Sequence, residues 1–208
     1  MKFKIYGFYL SEPFTEFEPQ REELLRLIDE ATDVKSYDEG QSSDNQNNLT
    51  LSPITRLDWH AAQDFKTRPW VKFVYKAIAW KLHEMCYKIG YQGILFHDLW
   101  FQQYKQGSSH DWHIHSYNFT GAYYLELPEE KEFNNKTEIY DGQKILIPNV
   151  KQGDICIFPA TSFHRGPTIQ SDKRKTIISY NFDVKGIRNH HYDNLQIYKP
   201  VLVGNKNI

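Results

Sequence analysis

Ile94-Leu95-Phe96-His97-Asp98-Leu99-Trp100-Phe101-Gln102-Gln103-Tyr104 opens the half of the chain whose patterning decides the fold. From here on, short runs rich in Ile, Val, Phe, Tyr and Thr are cut by Gly, Pro and Asn at intervals of roughly ten residues, the texture of an all-β region. The candidate strands are 94–104, 111–116, 119–127, 144–147, 154–158 and 174–183, with turns at Asn134-Asn135 and Gln152-Gly153-Asp154. Upstream the period changes. A short strand at Phe3-Lys4-Ile5-Tyr6 precedes a helix opened by Pro19, with Leu24, Leu27, Ile28 and Ala31 at spacings of three and four. A second helix runs from near Pro69 to about Gly90, carrying Val71, Val74, Ile78, Leu82, Met85 and Ile89 on one stripe, and Gly90 is a natural stop. Helices followed by many short antiparallel strands imply a mainly β fold with flanking helices. The expected form is a β-sandwich or jelly roll, a double-stranded β-helix with the N-terminal helices packed on one sheet.

The 208 residues suit a single domain: helical support over about 1–90, a β core over about 91–185 and a C-terminal extension over 186–208. Lys plus Arg number 25 against 26 Asp plus Glu, so no strong field invites nucleic acid or anionic lipid. No run of about 18 apolar residues exists to span a membrane. Lys2 and Lys4 interrupt the apolar opening residues, which therefore lack a signal-peptide core, and a reducing cytoplasm is the expected compartment. Cys86 falls in a helical pattern and Cys156 in a strand pattern, so the two read as separate buried thiols. Residues 38–48 are nearly all polar and read as a solvated surface loop, with a lid over the substrate as the alternative.

The chemistry concentrates in Trp112-His113-Ile114-His115. In an extended strand, side chains at i and i+2 share a face, so His113 and His115 can aim at one centre while Ile114 points the other way. His164 follows a turn and a strand, Gly153 to Pro159, and so stands at a strand end or loop, where functional residues concentrate. Three histidines from two places in a β fold can hold a redox metal. Asp111 shares parity with His113, so an Asp111/His113 pair is also possible. His60, His83 and His97 lack partners at ligand spacing, and His190-His191 sit in a polar segment; all five read as surface or structural residues.

Taken together, these residues resemble the 2-oxoglutarate and iron(II)-dependent oxygenases, in particular their prolyl-hydroxylase-like branch. Tyr104-Lys105-Gln106-Gly107 leads to His113-Ile114-His115, Thr120 stands four residues before Tyr124 of Tyr123-Tyr124-Leu125, and His164 and Arg174 close the set over about residues 94 to 183. The resemblance implies an oxygenase that hydroxylates an unactivated C–H bond, with a peptidyl or free amino acid such as proline as the example substrate, consuming O2 and 2-oxoglutarate and releasing succinate and CO2. It implies Fe(II) on His113, His115 and His164, and 2-oxoglutarate held by Arg174 with Tyr124, Thr120 and Tyr104, ascorbate being a stimulant. The family's pattern has Asp where this chain has His115, so three neutral imidazoles would leave the metal at +2 where the usual triad leaves +1. Trp100 and Trp112 are secondary candidates for ligand contact.

Two other classes compete. The cupins share Gly107 six residues ahead of His113 and His115, and Gly153, Pro159 and His164 match part of their second motif, but Phe119 and Thr120 stand where their Glu belongs. They would imply a metal-dependent dioxygenase or isomerase with no need of Arg174. A non-enzymatic jelly-roll binding module would use the aromatics and leave the histidines structural.

Overall fold

The structure, a computed structural model, describes residues 9–37, 54–129 and 134–188. The expected strand at 3–6, the polar 38–48 segment and His190-His191 lie outside the described residues.

The two helical patterns form as read. Helix α1 spans Arg21–Asp29 and buries Leu24 and Ile28. It starts later than Pro19 suggests, because Thr15–Gln20 form a 3-10 turn with Pro19 inside it. Helix α2 spans Pro69–Lys88, with Pro69 in its first turn, where the missing N–H costs nothing. Val71, Val74, Ile78, Leu82 and Met85 are all fully buried. Gly90, at φ +102°, turns the chain out of the helix and into the longest strand. Among the described residues, no helix is long and apolar enough to cross a membrane.

Among the described residues, eleven strands follow the chain order: β1 Leu10–Pro13, β2 Lys35–Tyr37, β3 Ile54–Leu57, β4 Tyr91–Tyr104, β5 His110–His113, β6 Phe119–Glu126, β7 Glu138–Tyr140, β8 Ile145–Leu146, β9 Asp154–Pro159, β10 Phe163–Gly166 and β11 Lys175–Ile187. They make two antiparallel sheets. The larger has the order β1-β9-β6-β11-β4-β3-β2, and the smaller β5-β10-β7-β8. This is the mainly β, jelly-roll arrangement the patterning predicts, with the helices against the larger sheet.

The larger sheet is apolar on both faces, which gives the molecule two layers of core. On the helix side, Leu99, Phe101, Tyr123, Leu125, Ile155, Ile178 and Tyr180 pack with the α2 stripe. Between the sheets, Tyr104, Tyr124, Ile139, Cys156, Phe158 and Ile177 form the second layer. Strand alternation assigns each residue of β4 and β11 to one layer or the other. Cys86 and Cys156 are free, buried and in different layers, as structural thiols would be; burial pushes the Cys86 thiol up to about 12 and Cys156 further still.

Candidate metal centre and co-substrate pocket

A cavity opens between the sheets, lined from both. One wall of it is metal-binding chemistry. His164 on β10 is the direct cross-strand partner of His113 on β5, and His115 follows just beyond the end of β5, its backbone N–H held by the carbonyl of Ala160 at 2.8 Å. The three rings offer ligand nitrogens that all lie within 4.8 Å of one another. His113 Nδ1 lies 2.6 Å from the carbonyl of Asp111, and His164 Nδ1 lies 2.8 Å from that of Ser162. A carbonyl only accepts, so in both rings Nδ1 carries the proton and Nε2 presents its lone pair, the arrangement that metal-binding histidines use. Burial lowers the basicity of all three, His115 to about 4 and His164 to about 3, with His113 adding to the effect on both. Neutral imidazoles with a fixed tautomer suit Fe(II). The exposed Asp111 contributes its backbone to this set and its carboxylate caps the Trp112 N–H at 2.7 Å, whereas it is His115 whose ring joins the cluster that could hold a metal.

At the other end of the cavity the structure departs from the sequence reading. Arg174 points outward: its guanidinium pairs with Glu126 at 2.7 Å and Asp29 at 2.8 Å on the far side of the sheet, and it does not line the cavity. The next residue does. Lys175 is 1% exposed, faces inward, and its Nζ sits 5.1 Å over the ring of Tyr104, its cross-strand neighbour. Desolvation pulls its pKa down to about 7 against a small opposing effect of Glu138. The cause of the correction is strand parity, since adjacent residues of β11 face opposite layers.

The supporting residues also shift. Tyr104 lines the cavity beside Lys175. Tyr124 stands one layer back and donates its hydroxyl to Thr137 Oγ1 at 2.8 Å, and it is Thr137 that meets the cavity. Thr120 lines the cavity as well, but four residues along β6 is about 13 Å, which separates it from the Tyr124 end. Sequence reasoning missed Thr137, Gln102, Ser179 and His110. Gln102 and Ser179 were findable from their parity with Tyr104 and Lys175; Thr137, just ahead of the three-residue β7, gave no signal. Trp100 lines the cavity with its ring 5.9 Å from His115. Trp112 instead packs outside it against Phe163 and under Arg165. Among the described residues that line the cavity, none carries a carboxylate. A dianion there meets the buried Lys175 ammonium, the Arg165 guanidinium, histidines and neutral donors.

The comparisons with known proteins agree with this geometry. Residues 98–183 match the model of the family described as "Putative 2OG-Fe(II) oxygenase". The chain carries the 2-oxoglutarate/Fe(II) oxygenase signature on the 2-oxoglutarate/Fe(II) oxygenase fold. Similar solved structures include a viral collagen prolyl hydroxylase from Paramecium Bursaria Chlorella virus-1 in its 2OG complex, at 16% identity and TM-score 0.52, covering 84% of this chain and 95% of that one. An oxidoreductase of the 2OG-Fe(II) oxygenase family from Burkholderia pseudomallei is 10% identical with a TM-score of 0.64 over 87% of this chain and 88% of its own. The non-heme alpha ketoglutarate dependent epimerase SnoN from nogalamycin biosynthesis is 13% identical at TM-score 0.59, covering 94% and 88%. No curated protein matches the sequence. The enzyme class is that of oxidoreductases working with Fe(II) and 2-oxoglutarate, and His113, His115 and His164 are a donor set that fits the iron.

Proposed function

We propose that this protein is a dioxygenase that hydroxylates an unactivated C–H bond, of a peptidyl or free amino acid such as proline, with release of succinate and CO2. The observation that carries the reading is one cavity with three clustered histidines on one wall, two of them held in a fixed tautomer, and a buried, otherwise costly ammonium at its far end. When bound, iron and 2-oxoglutarate supply the oxidising power. The chain's own residues do the rest. Lys175 takes the distal carboxylate of the co-substrate, replacing Arg174 in that role, since a buried cation needs a counter-charge and a buried carboxylate needs a cation. The face of Tyr104 steadies the ammonium. Thr137, oriented by Tyr124, offers a second polar contact. Trp100 and Phe158 exclude water beside the histidines.

The cupin and binding-module readings leave Lys175 unexplained, because neither calls for an ammonium in the interior. Epimerisation, the activity named for one structural neighbour, uses the same cofactors and remains the second reading. Incubating the Fe(II)-loaded protein with 2-oxoglutarate, O2 and a panel of amino acids and peptides separates them by mass spectrometry. Hydroxylation yields succinate with a product one oxygen heavier; an unchanged substrate mass with inverted configuration supports the epimerase; no succinate under any condition overturns the proposal.

A further inference from the structure

The strand row next to the metal points to the substrate. Ser179 lies between Trp100 and Ala122 across β4, β11 and β6, and all three line the cavity. One step outward in the same register, Asn181 lies between Asp98 and Thr120. Alternation puts these three side chains on the same inner face; of the three, Thr120 lines the cavity, and Asp98 and Asn181 are its neighbours across the strands.

What this row offers is one-sided. Thr120 gives its hydroxyl proton to the carbonyl of Tyr180, leaving lone pairs on Oγ1. Asn181 spends its amide on Asp98 Oδ2 at 2.9 Å, while its Oδ1 is buried with no partner. Asp98 is a carboxylate only 5% exposed, whose described partners are neutral: the Asn181 amide and the hydroxyl of Tyr117. Tyr117 is half-exposed, lies beyond the end of β5 and stacks on His97 at 4.3 Å, where Asp183 holds that ring in turn. A buried charge without a counter-charge, beside an orphaned carbonyl, is costly to keep. Both deficits disappear if a ligand brings a cation rich in N–H groups.

We propose that Asp98 and Asn181 form the specificity site for an ammonium group on the primary substrate, with the Tyr117 hydroxyl occupying the carboxylate until the substrate displaces it. The substrate class is therefore a free amine, such as an amino acid or a chain N-terminus, and an acylated or peptidyl nitrogen is disfavoured. This inference rests on the oxygenase reading for its cavity but concerns a different row of residues.

The test is calorimetric, with paired probes: free amino acids, peptides with a free N-terminus and amino sugars, each beside its N-acetylated counterpart. They are titrated anaerobically into the protein as purified and after loading with Fe(II) and 2-oxoglutarate. Binders are expected among the free amines, and N-acetylation should weaken them about tenfold or more, the worth of a charge-assisted contact. Asp98→Asn, which keeps shape and removes charge, should cost a similar factor with an unchanged circular dichroism spectrum. Tyr117→Phe removes the internal competitor and should tighten binding, which keeps the test open should Asp98→Asn not fold. A panel with no amine binder, equal affinity after acetylation, unchanged affinity in folded Asp98→Asn, or no tightening in Tyr117→Phe overturns the proposal. Amine selectivity in a protein that releases no succinate would sink the oxygenase reading alone, and succinate release without amine selectivity would sink this one alone.

Discussion

His115 and Lys175 carry the site's departures from its family pattern and from the sequence reading. With His115 as third ligand the metal keeps both its charges, whereas a carboxylate there would cancel one. His115→Asp should therefore preserve Fe(II) binding and 2-oxoglutarate turnover. His115→Ala should weaken Fe(II) by roughly a hundredfold or more, since even outer partners of a ligand are worth ten to a hundredfold. Asp111→Ala, which leaves the backbone carbonyl that orients His113, should change Fe(II) affinity little; anaerobic calorimetry reads all three, and an Asp111→Ala protein that loses iron would restore the aspartate as ligand. Lys175 adds a pH signature. Its pKa near 7 in the free pocket means that the ammonium a carboxylate requires is lost as pH rises. Affinity for 2-oxoglutarate should fall about tenfold per pH unit above that point. A flat profile from pH 7 to 9 would contradict the assignment.

At the scale of elements, the strands that build the site were only partly legible. The α2 stripe and the long β4, β6, β9 and β11 were readable because each is long and strongly apolar. Strands β7 and β10, of three and four residues, are too short for a period to show, yet β10 carries His164. The same reason hid β1, β2 and β3. Parity in β11 was ambiguous for a different cause: with both faces buried, Ile177 and Ile178 are equally apolar, and nothing in the alternation says whether Arg174 or Lys175 turns inward. The packing between strands also left a mark that sequence alone could not weigh. A side chain on Gly121 of β6 would overlap the Cys156 carbonyl oxygen of β9, which already accepts the Tyr180 hydroxyl at 2.7 Å. Gly121→Ala should therefore destabilise the fold by about 1–3 kcal/mol or more, read by urea unfolding. A neutral effect would mean that β6 and β9 are not packed this closely.

For the whole molecule, a ligand-free pocket lined by suppressed bases makes stability depend on pH in a defined direction. Lys175 has a folded pKa of about 7 against its ordinary 10.5, so between those values acidification protonates the unfolded chain first and lowers stability. The buried histidines continue the loss below 6.5, down to about 4 for His115 and about 3 for His164. Metal-free protein should thus unfold at lower urea as pH falls, and Lys175→Met should flatten the profile between pH 7 and 10.5; a variant with the parent's slope there would show that Lys175 is not desolvated. The same two groups, histidines on one wall and lysine at the other end, make the central claim directly measurable. When 2-oxoglutarate is titrated anaerobically into the Fe(II) form and the visible metal-to-ligand band is followed, the parent and Arg174→Ala should saturate alike. Lys175→Ala should need about tenfold to a hundredfold more co-substrate, the worth of one charged contact. Absence of the band in the parent, or a loss in Arg174→Ala with none in Lys175→Ala, would contradict the account.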